Sequence, residues 1–177
     1  MSGKDYLGKV KGERSLLERI MGYIPGYHGY KEKELRRESD RLVRMEAVNR
    51  LKAAKTSIRR AFANPSMVQK LSQDDTYKYD ALNSRLDRVT QRIDRAVAGY
   101  AGMFDAVKVK EDKLDTVLQH DVSLIEKADA IKADSGKLAK MQPGNDDWGA
   151  AMDSLISKVE EYDDLIDERS QILRGLG

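Results

Sequence analysis

The chain has 177 residues, 35% charged and 40% hydrophobic, with 32 Lys and Arg against 30 Asp and Glu for a net charge of +2. Apolar residues at that level, spread along the length, support one compact domain and exclude wholesale disorder, while no run of about 18 apolar residues marks a membrane span. Having no Cys excludes disulfides, thiolate nucleophiles and Cys-based zinc sites, and the two His leave little scope for imidazole chemistry.

Residues 1–30 read as a flexible N-terminal arm, because six of the 13 glycines fall within the first 29 positions. Glu13 to Met21 is expected to form a short helix with Leu16, Leu17, Ile20, Met21 and Ile24 on one side. With no apolar export core after Met1, a cytoplasmic location is expected. Gly3 to Lys9 has a Walker-like spacing, but Val10 stands where magnesium needs Ser or Thr, and no strand has room to precede it. Gly22 to Tyr30 then packs Tyr23, Tyr27, Tyr30 and His28 among glycines. It reads as a structured turn over the bundle end, or alternatively as a partner-contact loop built from Leu17, Ile20, Tyr23, Tyr27, His28 and Tyr30.

Lys31 to Phe62 has no Gly or Pro and reads as one long helix with Glu32 and Glu34 in its first turn. Its expected buried line is Leu35, Leu42, Met45, Val48, Leu51, Ala54, Ile58, Ala61 and Phe62. Asn64-Pro65 ends it, and Ser66 to Gln69 has the form of a capping box. A second long helix follows from the 3,4 spacing of Tyr79, Leu82, Leu86, Val89, Ile93, Ala96, Tyr100 and Met103, with a turn or short extended piece at 104–110. Glu111 to about Met141 is a third, with Leu114, Val117, Leu118, Val122, Ile125, Ala128, Ile131 and Leu138 inward and a kink expected at Asp134-Ser135-Gly136. After Pro143-Gly144, Asn145 caps a fourth helix whose stripe is Trp148, Met152, Leu155, Val159, Tyr162, Ile166 and Leu173, with Arg169 in the remaining slot.

The expected fold is therefore all-α: an antiparallel up-down-up-down bundle of four long helices over 31–177, preceded by the short helix and the Gly/Tyr-rich loop. Catalytic signals are missing. Neither His28 nor His120 has the Glu three residues earlier that a bundle di-iron site needs, and the acids of the last helix read as a solvated face. His120-Asp121 reads as a surface or groove pair, and Trp148 as a core anchor. We expect no cofactor, no metal and no small-molecule substrate.

Charge is the most informative feature. Residues 1–70 hold 17 basic and 8 acidic side chains, net +9, and the remainder is −7. Either the basic helix pairs internally with Glu160, Glu161, Asp163, Asp164, Asp167 and Glu168, or it offers Arg36, Arg37, Arg41, Arg44, Lys52, Lys55, Arg59 and Arg60 to nucleic acid or an anionic membrane, with the apolar side of the first helix as an insertable face. The leading expectation is a non-enzymatic scaffold or adaptor, associating as a coiled coil with a protein partner or with itself. The alternative is an anionic-surface binder using helix 31–60, and an enzyme built on Tyr27 and His28 is the third reading.

Overall fold

A computed structural model describes residues 3–96 and 110–175, so Tyr100, Met103 and the turn expected at 104–109 lie outside the described residues. Six α-helices occur among the described residues: α1 Gly3–Tyr23, α2 Arg36–Phe62, α3 Pro65–Val68, α4 Gln73–Asp94, α5 Glu111–Leu138 and α6 Asp146–Arg174, with a 3-10 turn at Lys33–Leu35. The described part is all-helical, without strands.

Local chemistry moves several boundaries. The Walker-like residues Gly3 to Lys9 lie inside α1, which is longer than the expected Glu13 to Met21 helix. The predicted continuous helix from Lys31 instead begins at Arg36. The Arg36 Nε donates to the Tyr30 carbonyl (2.8 Å) and the Ser39 hydroxyl to the Gly29 carbonyl (2.7 Å), holding the chain against the loop rather than letting the helix continue upstream. Asn64 caps the short α3 by accepting from the Ser66 amide, with Pro65 in the first turn. The capping box lies not at Ser66 to Gln69 but at Ser72 and Asp75, which bond each other's backbone amides at the start of α4. α5 stays helical through 134–136, where the Ser135 hydroxyl bonds back to the Ile131 carbonyl within the helix.

The four long helices pack as a ring: α2 against α4, α4 against α6, α6 against α5 and α5 against α2, with α1 lying on α5. Ion pairs give their directions. Lys78 to Asp153 (2.9 Å), Arg85 to Glu160 (2.7 Å) and Arg92 to Asp167 step along α4 and α6 together, so these neighbours run in the same direction. Lys55 to Asp87, and the Arg44 guanidinium to the Asp94 carbonyl (3.0 Å), step in opposite senses, so α2 and α4 are antiparallel. Adjacent helices are thus not all antiparallel. The 95–110 connection carries the chain from α4 to α5, which are opposite rather than adjacent in the ring.

Inside the ring lie Val43, Ala47, Leu51, Ala54 and Ile58 of α2, Leu82, Leu86, Val89 and Ile93 of α4, Val117, Leu124, Ala128 and Ile131 of α5, and the expected stripe of α6. Met45 was expected inward but is 47% exposed, because the inward line of α2 runs through Val43 and Ala47 instead. Ile20, Ile24, Tyr27 and Tyr30 belong to this same core, so the first 30 residues contribute to it directly. At one end Phe62 stacks on Tyr79 (4.0 Å between centroids) beside Trp148, which is buried as expected. The opposite end is polar inside.

Candidate functional site

Three charged side chains occupy core positions at the polar end. Asp121 falls on the inward line of α5, Val117, Asp121, Leu124, Ala128, and Arg169 on that of α6, Tyr162, Ile166, Arg169, Leu173. Asp40 sits one turn before Val43 on α2. All three are at most 1% exposed. Arg169 reaches across the ring interior, pairing with Asp121 on α5 and with Asp40 on α2 (2.8 Å). Arg44, buried except for its edge, pairs with the other oxygen of Asp40 (2.8 Å).

The loop after α1 completes the cluster. Gly26 and Gly29 adopt φ of 88° and 72°, a region open to glycine, and so turn Tyr27 and Tyr30 inward. The Tyr27 hydroxyl donates to Asp121 (2.6 Å), and Arg169 donates to the Tyr30 hydroxyl (3.2 Å). Burial and the nearby Asp121 carboxylate hold both phenols well above their ordinary range, which keeps them protonated donors. Burial also pushes the Asp121 carboxyl upward, and Arg169 opposes that shift. Next to it His120 is buried, not on the surface as expected, and its Nε2 donates to the Leu165 carbonyl (3.0 Å). Desolvation, reinforced by Arg169, lowers His120 to about 4, so the ring is neutral at pH 7. The cluster is closed to solvent, and both carboxylates and both phenols find their partners within it. Its chemistry is that of a tie between three helices and a loop.

On the outer side of the same loop is a cavity of about 320 Å³ lined by Arg14 and Leu17 of α1, residues 28–32 of the loop, and Leu114, Asp115 and Leu118 of α5. Of the expected partner-contact residues, Leu17, His28 and Tyr30 meet there. Ile20 and Tyr27 face the core instead, and the half-buried Tyr23 ring lies 5.2 Å from the Arg50 guanidinium. The predicted insertable face of α1 is largely consumed: Ile20 and Ile24 are buried and Leu16 and Leu17 pack on the core, leaving Met21 exposed.

The expected anion-binding set is divided. Arg36 and Arg44 point inward, at 2% and 7% exposure, and Lys55 pairs with Asp87. Arg41, Lys52 and Arg59 are exposed, and at about 100° per residue they fall within about 20° of one another on the outer face of α2. Arg37 and Arg60 are exposed beside them. The acids of α6 do not meet α2. Asp163, Asp167 and Glu160 pair with Arg85, Arg88 and Arg92 of α4 instead. Among the described residues no group of three His, Asp or Glu side chains is placed to hold a metal ion, and no helix is long and apolar enough to cross a membrane. The chain matches no protein-family model, and no curated protein or solved structure is detectably similar to it.

Two outcomes test the cluster. Arg169→Met strands the Asp121 carboxylate in the core and is expected to cost about 3–5 kcal/mol in urea unfolding, with part of that loss recovered when Asp121→Asn is added. For His120, the folded pKa lies below the unfolded one. The unfolded chain therefore binds the extra proton, and stability contributed above pH 6.5 falls as pH drops toward 4, by about 3 kcal/mol at ~1.36 kcal/mol per unit. Asp121 titrates in the opposite sense, so the comparison with His120→Gln isolates the histidine: that variant should show a flatter stability profile between pH 6.5 and 4.

Proposed function

We propose that the chain is a non-enzymatic helical scaffold or adaptor that docks a protein, another chain or a second copy, along the outer face of α2. The four long helices act as a bundle with coiled-coil-like seams turned inward, and the ion cluster holds them in register. The observation that carries this reading is the ridge of Arg41, Lys52 and Arg59, about 27 Å long at 1.5 Å per residue, with the exposed Met45 beside it. Because the α6 acids engage α4, this ridge faces outward rather than pairing across the bundle. A rigid basic ridge with an apolar contact suits an acidic amphipathic helix, with charge setting orientation and rate more than affinity.

The same ridge favours a second reading, an anionic-surface binder. Of its two ligands, nucleic acid gains support because α1 has little apolar face left for insertion into a membrane.

Charge reversal at Arg41, Lys52 and Arg59 together is expected to abolish capture of a specific partner from native lysate and any concentration-dependent self-association seen by light scattering. A wild-type protein that stays monomeric and retrieves no partner would overturn the adaptor reading. For the second reading, fluorescence anisotropy with a generic 20-base-pair duplex should show binding weakening about a hundredfold between 50 and 200 mM salt, as about four phosphate contacts require. Binding that is insensitive to salt, or untouched by the charge reversal, would remove it.

A further inference from the structure

We infer that the cavity between α1, the 28–32 loop and α5 is a binding site for an alkyl carboxylate, a ligand held and not converted. The inference is independent of the adaptor reading, since the cavity shares no residue with the α2 ridge. The floor is hydrocarbon: Leu17, Leu114 and Leu118 are partly buried and contribute their side chains to one surface. Gly29 closes one wall with bare backbone. A Cβ there would stand 3.7 Å from a Leu118 methyl and 3.8 Å from a Leu17 methyl, and the φ of 72° disfavours any other residue.

This wall is fixed from behind. Ser39 holds the Gly29 carbonyl, Arg36 holds the Tyr30 carbonyl and Arg169 holds the Tyr30 hydroxyl, so the cavity exists before any ligand arrives and little ordering is needed on binding. At about 320 Å³ it lies at the lower end of the range of small-ligand sites and holds roughly ten water volumes. Water over three leucines has few hydrogen-bonding partners, so its displacement by hydrocarbon is favourable.

The rim sets the head group. Arg14, His28 and Lys31 are exposed at the mouth, with Glu32 as the exposed acid, while Asp115 is half-buried and already engaged within the structure. The two fixed cations, Arg14 and Lys31, outnumber the one exposed acid, Glu32, and a guanidinium can grip a carboxylate with two parallel hydrogen bonds. A chain of about eight to ten carbons would lie on the leucines with its carboxylate between Arg14 and Lys31.

The test is a titration of the full chain, carrying labelled leucine methyls, with sodium decanoate, decanol and decyltrimethylammonium. The expected result is saturable one-to-one decanoate binding, with methyl shifts centred on Leu17, Leu114 and Leu118. Arg14→Gln with Lys31→Gln should weaken decanoate at least tenfold while leaving decanol unchanged. These two positions are exposed, so the variant keeps its fold, whereas Leu118→Trp should fill the cavity and abolish binding of both ligands. Decyltrimethylammonium binding as tightly as decanoate, shifts scattered over the surface, no saturation, or binding only of a peptide ending in a free leucine carboxylate would each overturn the proposal.

Discussion

A guanidinium cannot be taken from water into a helical core unless its charge and its donors are met there, and Arg169 imposes that requirement on the whole polar end of this molecule. Opposite charges must arrive from α2 and α5, which supply Asp40 and Asp121. Those carboxylates have lone pairs of their own to satisfy, and Arg44 and Tyr27 do so. The tyrosines arrive only because the chain doubles back after α1 through two positive-φ glycines. Such clusters are a poor source of net stability, since desolvation offsets much of the attraction. What they add is discrimination. A slip of α6 by one heptad would preserve most apolar contacts along the seam, but it would leave Arg169 opposite hydrocarbon and Asp121 without a cation, Asp40 keeping only Arg44.

The same reasoning accounts for how surface charge is sorted. α4 and α6 run in the same direction and in register, so basic residues spaced by seven on one meet acidic residues spaced by seven on the other. Exposed pairs of this kind each contribute little, but a ladder of them favours one neighbour over another. Because α6 is matched to α4, α2 keeps its outward cations, neutralised in part by Glu38, Glu46 and Asp87. The near-neutral total of the chain thus divides into a self-paired wall on one side and a basic ridge on another.

The heptad stripes of α4 and α6 could be read directly from sequence, because apolar residues at alternating spacings of three and four have one cheap arrangement. The stripe of α2 was harder to place. Small residues such as Ala47 and Ala54 mark an inward line weakly, and Met45 offered a larger apolar residue on the wrong side. The heptad stripe places Arg169 in a core slot, between Ile166 and Leu173, but not the acids that meet it: Asp40 and Asp121 are polar and were not read as inward, although Asp121 stands in register between Val117 and Leu124. A charged residue in a core slot is itself the signal, provided an opposite charge occupies a core slot on another helix. What no single-chain periodicity contains is which helix each seam faces. The basic α2 and the acidic α6 looked like partners by charge, and only the packing order of the ring separates them.

The polar and aromatic ends of the core also divide its tasks. Phe62, Tyr79 and Trp148 close one end with surfaces that tolerate small rotations, as stacked rings do. Directional hydrogen bonds close the other and admit few alternatives. The loop 24–32 belongs to the strict end: its inner face is bonded to Arg36, Ser39, Asp121 and Arg169, so its outer face is equally fixed. A glycine-rich segment is therefore no sign of mobility at this position. The glycines are what allow the backbone to reach the buried ions, and the rigidity those ions confer is what holds the cavity open over the leucines of α1 and α5.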